Sequence, residues 1–265
     1  MIGKAKTAKK MIKKEGLKYT IKFSLDKMKI RKLFPVTGFY KDNGVKIKPK
    51  RLLDKYISNE SNQERKEGGI VKCHQKLTKK GDNVLVIGGG NGVTGVRSAK
   101  IVGDEGKVII YEGGAKSANK IREIIHLNKV KKICTVKHSV VGQKKDVYGG
   151  RTKNASYTSA KELPECDILE MDCEGSEIGI MKKMSIKPRA IISEMHPWNT
   201  KYDAEKFVKI FDEVGYDITH AYGHDGIGLN KNEMKKLLRR SKNEEEKYVV
   251  SGARWPVVMA GIRSD

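Results

Sequence analysis

One short segment constrains the fold of this chain more than any other: a buried-strand run that ends directly in glycines. Residues 84–87 are all apolar, four of the next five residues are glycine, and a helical pattern begins at Val93. Glycine allows a sharp turn and a close approach of backbone to a ligand, and the N–H groups at a helix start favour an anion. The segment therefore predicts a strand, an anion-binding turn and a helix.

The rest of the chain beyond residue 81 repeats this alternation, because apolar runs of strand length alternate with helical patterns. Such alternation is typical of βαβ units around a parallel sheet, so the predicted fold class is α/β. The predicted strands are 84–87, 107–111, 134–140, 167–171, 190–194, 217–221 and 257–260. The predicted helices are 69–77, 93–102, 118–127, 176–183, 203–214 and 231–239.

The positive charge of the chain is concentrated before this region. Residues 1–80 contain 24 lysines and arginines against 7 acidic residues, a net +17 of the formal +23. We therefore predict a basic, partly helical N-terminal extension and linker over residues 1–68 and one catalytic domain over 69–265. Residues 1–34 have apolar side chains at helical spacing among lysines, which predicts basic amphipathic helices. Such helices can lie on an anionic membrane surface, bind another polyanion, or dock on the domain.

Composition also bears on the compartment. No stretch approaches the ~20 apolar residues of a membrane-spanning helix, and the lysine-rich start lacks the features of a signal peptide. The four cysteines form no C-x-x-C pair, which favours reduced thiols over a disulfide framework. We expect a cytoplasmic protein, with peripheral membrane contact through residues 1–34 as one alternative.

An acidic residue follows the second predicted strand. Glu112 stands twenty residues beyond Gly92, where a carboxylate can accept hydrogen bonds from the ribose hydroxyls of a nucleoside cofactor. The glycines at 90, 92 and 95 also satisfy the dinucleotide fingerprint, for which Glu112 is equally suitable. The loop therefore leaves NAD open as an alternative.

A dense acidic turn follows the fourth predicted strand. Asp172 and Glu174 stand at the carboxyl edge of the predicted sheet, which is where open α/β sheets bind ligands. Ser176 is placed to cap the next helix, and Glu177 falls in its first turn, where negative charge is stabilising. His196 ends the neighbouring strand, so Asp172, Glu174 and His196 are candidate proton acceptors.

The acidic turn resembles the hallmark of the FkbM-type methyltransferases, a strand followed by D-x-E-G-x-E. The matching residues are Asp172, Glu174, Gly175 and Glu177. The resemblance extends through the glycine loop, Tyr111-Glu112 and the strand that ends in Glu194-x-His196. It implies a Rossmann-like class I methyltransferase fold, with a seven-stranded, mostly parallel sheet flanked by helices and a final antiparallel strand near 257–260.

The resemblance also implies a cofactor and a reaction. The cofactor is S-adenosyl-L-methionine, and the residues expected to bind it are Gly88, Gly90, Gly92, Glu112 and Ser139. The residues expected to face the methyl acceptor are Asp172, Glu174 and His196. The expected reaction is O-methylation of a hydroxyl on a small molecule or glycan. The chain departs from the usual pattern at Val86, where many class I enzymes carry an acid, and at Gly113, where the family often has proline.

Two other functions remain open at this point. An RNA or DNA methyltransferase would use the basic extension to hold phosphates, although the chain lacks the Asn/Asp-Pro-Pro-Tyr/Phe motif of many such enzymes. An NAD-dependent oxidoreductase would use the glycine loop alone. Asp172, Glu174, Glu194 and His196 are of ligand type, but no tight motif requires a metal, and we assign no residue to one.

Overall fold

The computed structural model describes residues 38–48, 67–142, 152, 154–195, 204–224, 226–230, 232–233 and 256–264. The chain divides into two compact units, Met1–Gln63 and Glu64–Asp265. The helices predicted within residues 1–34 lie outside the described residues. So does the predicted helix 231–239, apart from residues 232–233.

The described part of the first unit is a β-hairpin. Strands β1 (Tyr40–Asp42) and β2 (Val45–Ile47) pair in antiparallel fashion. Asn43 and Gly44, the two residues between them, have φ values of 47° and 77°. Two consecutive residues with positive φ are what a type I′ turn requires, and Asn-Gly favours it. The hairpin is absent from the strands predicted above, although the Asn-Gly pair is a strong local signal for one.

The described part of the second unit contains nine strands. They are β3 (Asn83–Ile87), β4 (Lys107–Tyr111), β5 (Cys134–Lys137), β6 (Ser139–Val141), β7 (Ser156–Thr158), β8 (Ile168–Met171), β9 (Ala190–Met195), β10 (Tyr216–Gly223) and β11 (Val257–Arg263). Strands β6 and β7 form a small parallel sheet of their own, and the other seven form the central sheet.

The order of strands in the central sheet is β10-β11-β9-β8-β3-β4-β5. Strands β3, β4, β5, β8 and β9 are parallel, whereas β11 is antiparallel to both of its neighbours, β9 and β10. The predicted seven-stranded, mostly parallel sheet with a final antiparallel strand is therefore confirmed. The chain progresses outward from β3 in both directions, so the carboxyl ends of β3 and β8 flank a topological switch point.

Five helices within the described ranges cover the sheet. They are α1 (Gly68–Leu77), α2 (Val93–Val102), α3 (Ala115–Leu127), α4 (Glu177–Lys183) and α5 (Ala204–Glu213). Helices α1, α2 and α3 lie on one face, where Ile110 of β4 meets Gly95 of α2. Helices α4 and α5 lie on the other face, where Ile178 and Phe207 pack in one apolar cluster with Leu85 of β3. The predicted helical layers on both faces are thus present.

Burial explains why the central strands are continuous apolar runs. All four residues of β8 and all six of β9 are buried, as are the last four of β3. Parallel strands covered by helices on both faces lack the alternation of a half-exposed strand. Helix α5 instead places Phe207, Ile210 and Phe211 on one side, at the i, i+3, i+4 spacing of an amphipathic helix.

One predicted strand is wrong in its extent. Residues 134–140 were expected to form a single strand, but β5 and β6 are separate strands in different sheets. The break falls at His138, whose Nε2 lies 3.1 Å from the carbonyl oxygen of Gly113. Beyond it, β6 leaves β4 and pairs with β7, which brings Ser139 opposite Ser156.

All four cysteines are free thiols; Cys73 and Cys134 are buried. Among the described residues, no helix has both the length and the apolar character needed to cross a bilayer.

Candidate active site

The glycine loop connects β3 to α2 with three left-handed glycines. Gly88, Gly90 and Gly92 have φ values of 90°, 49° and 75°. A side chain at Gly88 would collide with the backbone oxygen of Asp172, because the loop passes directly against the end of β8. At Gly90 the space that a side chain would occupy is open, and the nearest atom to an added Cβ is Glu67 Oε1 at 4.0 Å. Gly90 is therefore the glycine of this trio with most room for a ligand.

Glu112 lies beside this loop at the end of β4 and is buried. Gly90 donates its N–H to Glu112 Oε2 over 3.0 Å, and Gly114 donates to Oε1 over 2.7 Å. Burial raises the pKa of the Glu112 carboxyl above its usual 4.5, and the N–H groups of Gly114 and Gly90 partly oppose this rise. The carboxylate has lone pairs left for further donors such as hydroxyls.

Ser139 is held within the small sheet. Its Oγ lies 2.8 Å from Thr158 Oγ1 and donates to the carbonyl oxygen of Ser156 over 3.1 Å. The side chain is buried. The hydroxyl thus fastens β6 to β7, and a role toward an adenine ring stays a prediction.

The acidic turn after β8 is organised by Glu177. Its side chain is fully buried, and its Oε1 accepts the N–H groups of Cys173 and Gly175 over 3.0 and 3.1 Å. These bonds hold Glu174 at a φ of 55°, a left-handed value that is uncommon for a residue with a side chain. The expectation that Ser176 caps α4 is wrong, because its side chain makes no capping hydrogen bond.

Asp172 stands where the acidic turn meets the glycine loop. Its N–H donates to the carbonyl oxygen of Ile87 over 2.9 Å, which extends the pairing of β8 with β3. Burial raises the pKa of the Asp172 carboxyl well above its usual 3.8. Four negative charges raise it further, those of Glu194, Glu67, Glu174 and Glu177. The electrostatics of this edge therefore favour a carboxyl that takes up a proton readily.

Two residues that were not among the sequence-predicted candidates lie at the same edge. His224 Nδ1 is 3.3 Å from Glu194 Oε1, and its Nε2 is 3.4 Å from the backbone nitrogen of Glu67. Glu67 has a φ of 61° and precedes α1. Neither residue belongs to a periodic pattern, so only the Gly68-Gly69 turn signal was available to indicate Glu67. His196 lies outside the described residues.

The structure thus brings together Gly88, Gly90, Glu112, Asp172 and Glu174 at the carboxyl edge of β3, β4 and β8. Within the described ranges, no group of three or more histidines, cysteines and carboxylates has an arrangement that could hold a metal ion.

The strand order and the antiparallel β11 define the fold as that of class I, Rossmann-like methyltransferases. No protein-family model matches the chain, and no curated protein matches it. Solved structures do match.

One such structure is a SAM-dependent O-methyltransferase from Thermotoga maritima, with 13% identity, a TM-score of 0.48, and coverage of 83% of this chain and 73% of that one. A second is a SAM-dependent methyltransferase from Aquifex aeolicus, with 16% identity, a TM-score of 0.43, and coverage of 79% and 96%. A third is Aeropyrum pernix fibrillarin with natively bound S-adenosyl-L-methionine, with 11% identity, a TM-score of 0.42, and coverage of 70% and 68%. Similarity at this level concerns the fold alone.

Proposed function

We propose that this protein is an S-adenosylmethionine-dependent methyltransferase. The observation that carries the proposal is the position of β11, antiparallel between β9 and β10. The dinucleotide-binding fold has a parallel sheet in the order 3-2-1-4-5-6, without such an insertion. The topology therefore favours S-adenosylmethionine over NAD, a choice that the glycine loop alone left open.

We assign cofactor binding to Gly88, Gly90, Gly92 and Glu112, with Ser139 as an adenine-side candidate. The open direction at Gly90 and the carboxylate beside it fit a nucleoside with an anionic tail. The cofactor supplies a methyl group on a sulfonium, whose leaving group is a neutral thioether. The protein's task is then to hold the acceptor in near-attack geometry and to remove its proton.

We assign the proton acceptor to Asp172, with Glu174 and His196 as further candidates. A general base works best when its pKa lies near the operating pH. Burial and neighbouring negative charge move the pKa of Asp172 upward, in that direction. The acceptor that suits such a base is a hydroxyl, so the proposed reaction is O-methylation of a small molecule or glycan.

Membership of the FkbM-type group is part of the proposal. The D-x-E-G-x-E turn supports it, because its last glutamate, Glu177, accepts two backbone N–H groups of the turn. The motif therefore has a physical purpose in this chain: it presents Asp172 and Glu174 at the sheet edge in a defined loop conformation.

Peripheral contact of residues 1–34 with an anionic membrane surface also stays a proposal, supported by charge and apolar spacing alone. Sedimentation with vesicles that contain anionic lipid tests it, because deletion of residues 1–34 should abolish binding at low salt. Unchanged sedimentation after the deletion contradicts it.

The decisive experiment is isothermal titration of the full chain with S-adenosylhomocysteine and, separately, with NAD. We expect micromolar binding of S-adenosylhomocysteine and none of NAD. Glu112→Ala should abolish that binding. Glu105→Ala is the matched control, because Glu105 is an exposed glutamate whose partner is Lys80.

Binding of NAD in place of S-adenosylhomocysteine would overturn the cofactor assignment. A screen of hydroxyl acceptors then follows on the protein that binds. Normal turnover by both Asp172→Asn and His196→Ala would remove the catalytic assignments while leaving the cofactor assignment intact.

A further inference from the structure

A buried polar network lies behind the candidate active site, on the face of the sheet covered by α1 and α2. Its members are almost completely buried: His74, Thr78, Thr94, Ser98 and Glu170. Glu170 is its centre. His74 Nε2 lies 2.7 Å from Glu170 Oε2, and the Thr94 hydroxyl donates to Glu170 Oε1 over 2.6 Å.

The chemistry of this network follows from its donors and acceptors. A carboxylate oxygen accepts hydrogen bonds, so the tautomer of His74 with its proton on Nε2 donates to Glu170. The other ring nitrogen, Nδ1, lies 2.8 Å from Thr78 Oγ1, the residue that follows α1. One carboxylate on β8 thus joins two helices to the sheet, α1 through His74 and α2 through Thr94.

Stability alone does not account for such a pair. Burying a charge requires both pairing and hydrogen bonds, and well-packed apolar residues in place of a buried ion pair are often neutral or more stable. In the register of β3 and β8, Glu170 pairs with Val86, which is apolar. An apolar residue at 170 would extend the core of this layer, so the carboxyl group at this position calls for another explanation.

The place where the network meets α2 supplies that explanation. Thr94 is the second residue of α2 and lies two positions after Gly92, the last glycine of the loop. Gly92, the residue before the helix, has no side chain with which to cap it. The hydrogen bond from Thr94 to Glu170 therefore ties the first turn of α2 sideways to the central strand. The turn that this bond anchors continues directly from the glycine loop.

We infer that Glu170 is a positioning residue for the glycine loop, acting through Thr94, and that His74 holds its carboxylate in place. The inference rests on the proposed function, since the loop is the proposed cofactor site. It extends that function to residues that do not touch the cofactor and that no periodic sequence pattern indicated.

The test compares variants of the full chain that differ by single atoms or groups. Thr94→Val keeps the shape of the side chain but removes the hydroxyl, whereas Thr94→Ser keeps the hydroxyl. Ser98→Ala is the matched control, because Ser98 belongs to the same network, with its Oγ 3.2 Å from His74 Nε2, but lies one turn further from the loop. Glu170→Gln keeps the volume of the side chain and replaces its carboxyl group by an amide. If this variant fails to fold, the comparison of Thr94→Val with Thr94→Ser still tests the positioning role.

Two readouts are measured at a temperature where every variant is folded. Thr94→Val should weaken S-adenosylhomocysteine binding about tenfold, which is about 1.4 kcal/mol, whereas Thr94→Ser should bind it as tightly as the unaltered protein does. Without ligand, Thr94→Val should also speed amide hydrogen exchange in residues 88–96. Ser98→Ala should lower the unfolding temperature but change neither readout.

The outcomes separate the two proposals. If the unaltered protein does not bind S-adenosylhomocysteine, the proposed function fails, and the exchange measurement still tests the positioning role. Equal exchange and equal affinity in Thr94→Val and the unaltered protein would overturn the positioning role alone. So would a loss of affinity in Ser98→Ala as large as that in Thr94→Val, because the network would then act through general stability.

Discussion

At the scale of single residues, Asp172 combines a proposed catalytic role with an unfavourable environment. Burial and four glutamates raise the pKa of its carboxyl, so the folded protein favours the protonated form more than the unfolded chain does. The stability that this group contributes is present below its ordinary pKa of 3.8 and is lost as the pH rises through the raised pKa. At pH values above 3.8 the carboxyl group therefore lowers the stability of the fold that presents it, relative to a neutral side chain.

The first prediction follows from this conflict. Asp172→Asn should reduce methyl transfer by at least about 100-fold, the typical contribution of a general base, while S-adenosylhomocysteine binding is retained. The same variant should raise the unfolding temperature at neutral pH, because asparagine has no carboxyl group whose ionisation is opposed by burial. Turnover, titration calorimetry and thermal scans from acidic to neutral pH measure the three effects.

Asp167→Asn is the control for this variant. Asp167 lies just before β8, at the opposite end from Asp172, and accepts the N–H of Asn83 in an exposed position. It should leave turnover unchanged. A fall in the unfolding temperature of Asp172→Asn would contradict the electrostatic account of the site.

The second prediction concerns Glu112. Its ionised form is the better acceptor for ribose hydroxyls, and burial raises its pKa above 4.5. The affinity for S-adenosylhomocysteine should therefore rise with pH through that raised pKa. Glu112→Gln should bind at least about tenfold more weakly and without this pH dependence, because the charge is absent. Titration calorimetry across the acidic range decides, and an identical pH dependence in the variant would contradict the assignment.

At the scale of secondary-structure elements, the glycine loop separates positions that maintain the fold from positions that face a ligand. Gly88 and Gly81 both have strongly positive φ, 90° and 84°. A Cβ at Gly81 would meet nothing within 4 Å, whereas one at Gly88 would strike the backbone at Asp172, just beyond β8. The two positions thus share a backbone conformation but differ in the space around it.

The third prediction uses this pair. Gly81→Ala should lower the free energy of unfolding by about 1 kcal/mol, through the left-handed conformation alone. Gly88→Ala should lower it by roughly 3 kcal/mol or more, since two strands must also separate. Urea denaturation measures both. Equal losses would mean that the loop can move away from Asp172 without penalty.

Gly90→Ala completes the series with a different expectation. Its φ of 49° gives a conformational cost similar to that of Gly81, but the open side of the loop would be filled by a methyl group. The variant should fold and yet bind S-adenosylhomocysteine more weakly than Gly81→Ala. Unchanged affinity would move the ligand away from this side of the loop.

The elements also indicate what sequence can and cannot predict here. The apolar runs of β3 and β9 and the glycines after β3 predicted the parallel sheet, because buried strands and tight turns leave local traces. No sequence signal marked the break at His138, because residues 134–140 keep a strand-like pattern although they belong to two sheets. The contact between His74 and Glu170 could not be predicted from a local pattern either, because the two residues are 96 positions apart in the sequence. Its partners become neighbours only when α1 packs on the sheet.

At the scale of the whole molecule, the chain divides into the units Met1–Gln63 and Glu64–Asp265, and the fourth prediction follows from this division. A chain that begins at residue 64 should retain the S-adenosylhomocysteine affinity of the full protein, because every described candidate site residue lies in the second unit. The proposed domain boundary at 68/69 is tested by the same series. Titration calorimetry and thermal unfolding are the measurements.

A chain that begins at residue 69 should unfold at a lower temperature than one that begins at 64. It lacks Glu67 and Gly68, whose backbone nitrogens lie 3.4 Å from the ring and 2.9 Å from the backbone oxygen of His224. Equal unfolding temperatures would favour the boundary at 68/69. Loss of binding in the chain that begins at 64 would contradict the independence of the second unit.

The position of β11 has a consequence for how the protein is made. Strand β10 is synthesised more than thirty residues before β11, and among the described strands its partner in the central sheet is β11. Until residue 257 has emerged from the ribosome, β9 and β10 therefore both present open edges, which are templates for pairing with other chains. Stalled or C-terminally shortened products should aggregate through these two edges. The strand that distinguishes this fold from the dinucleotide-binding one thus also closes these two edges.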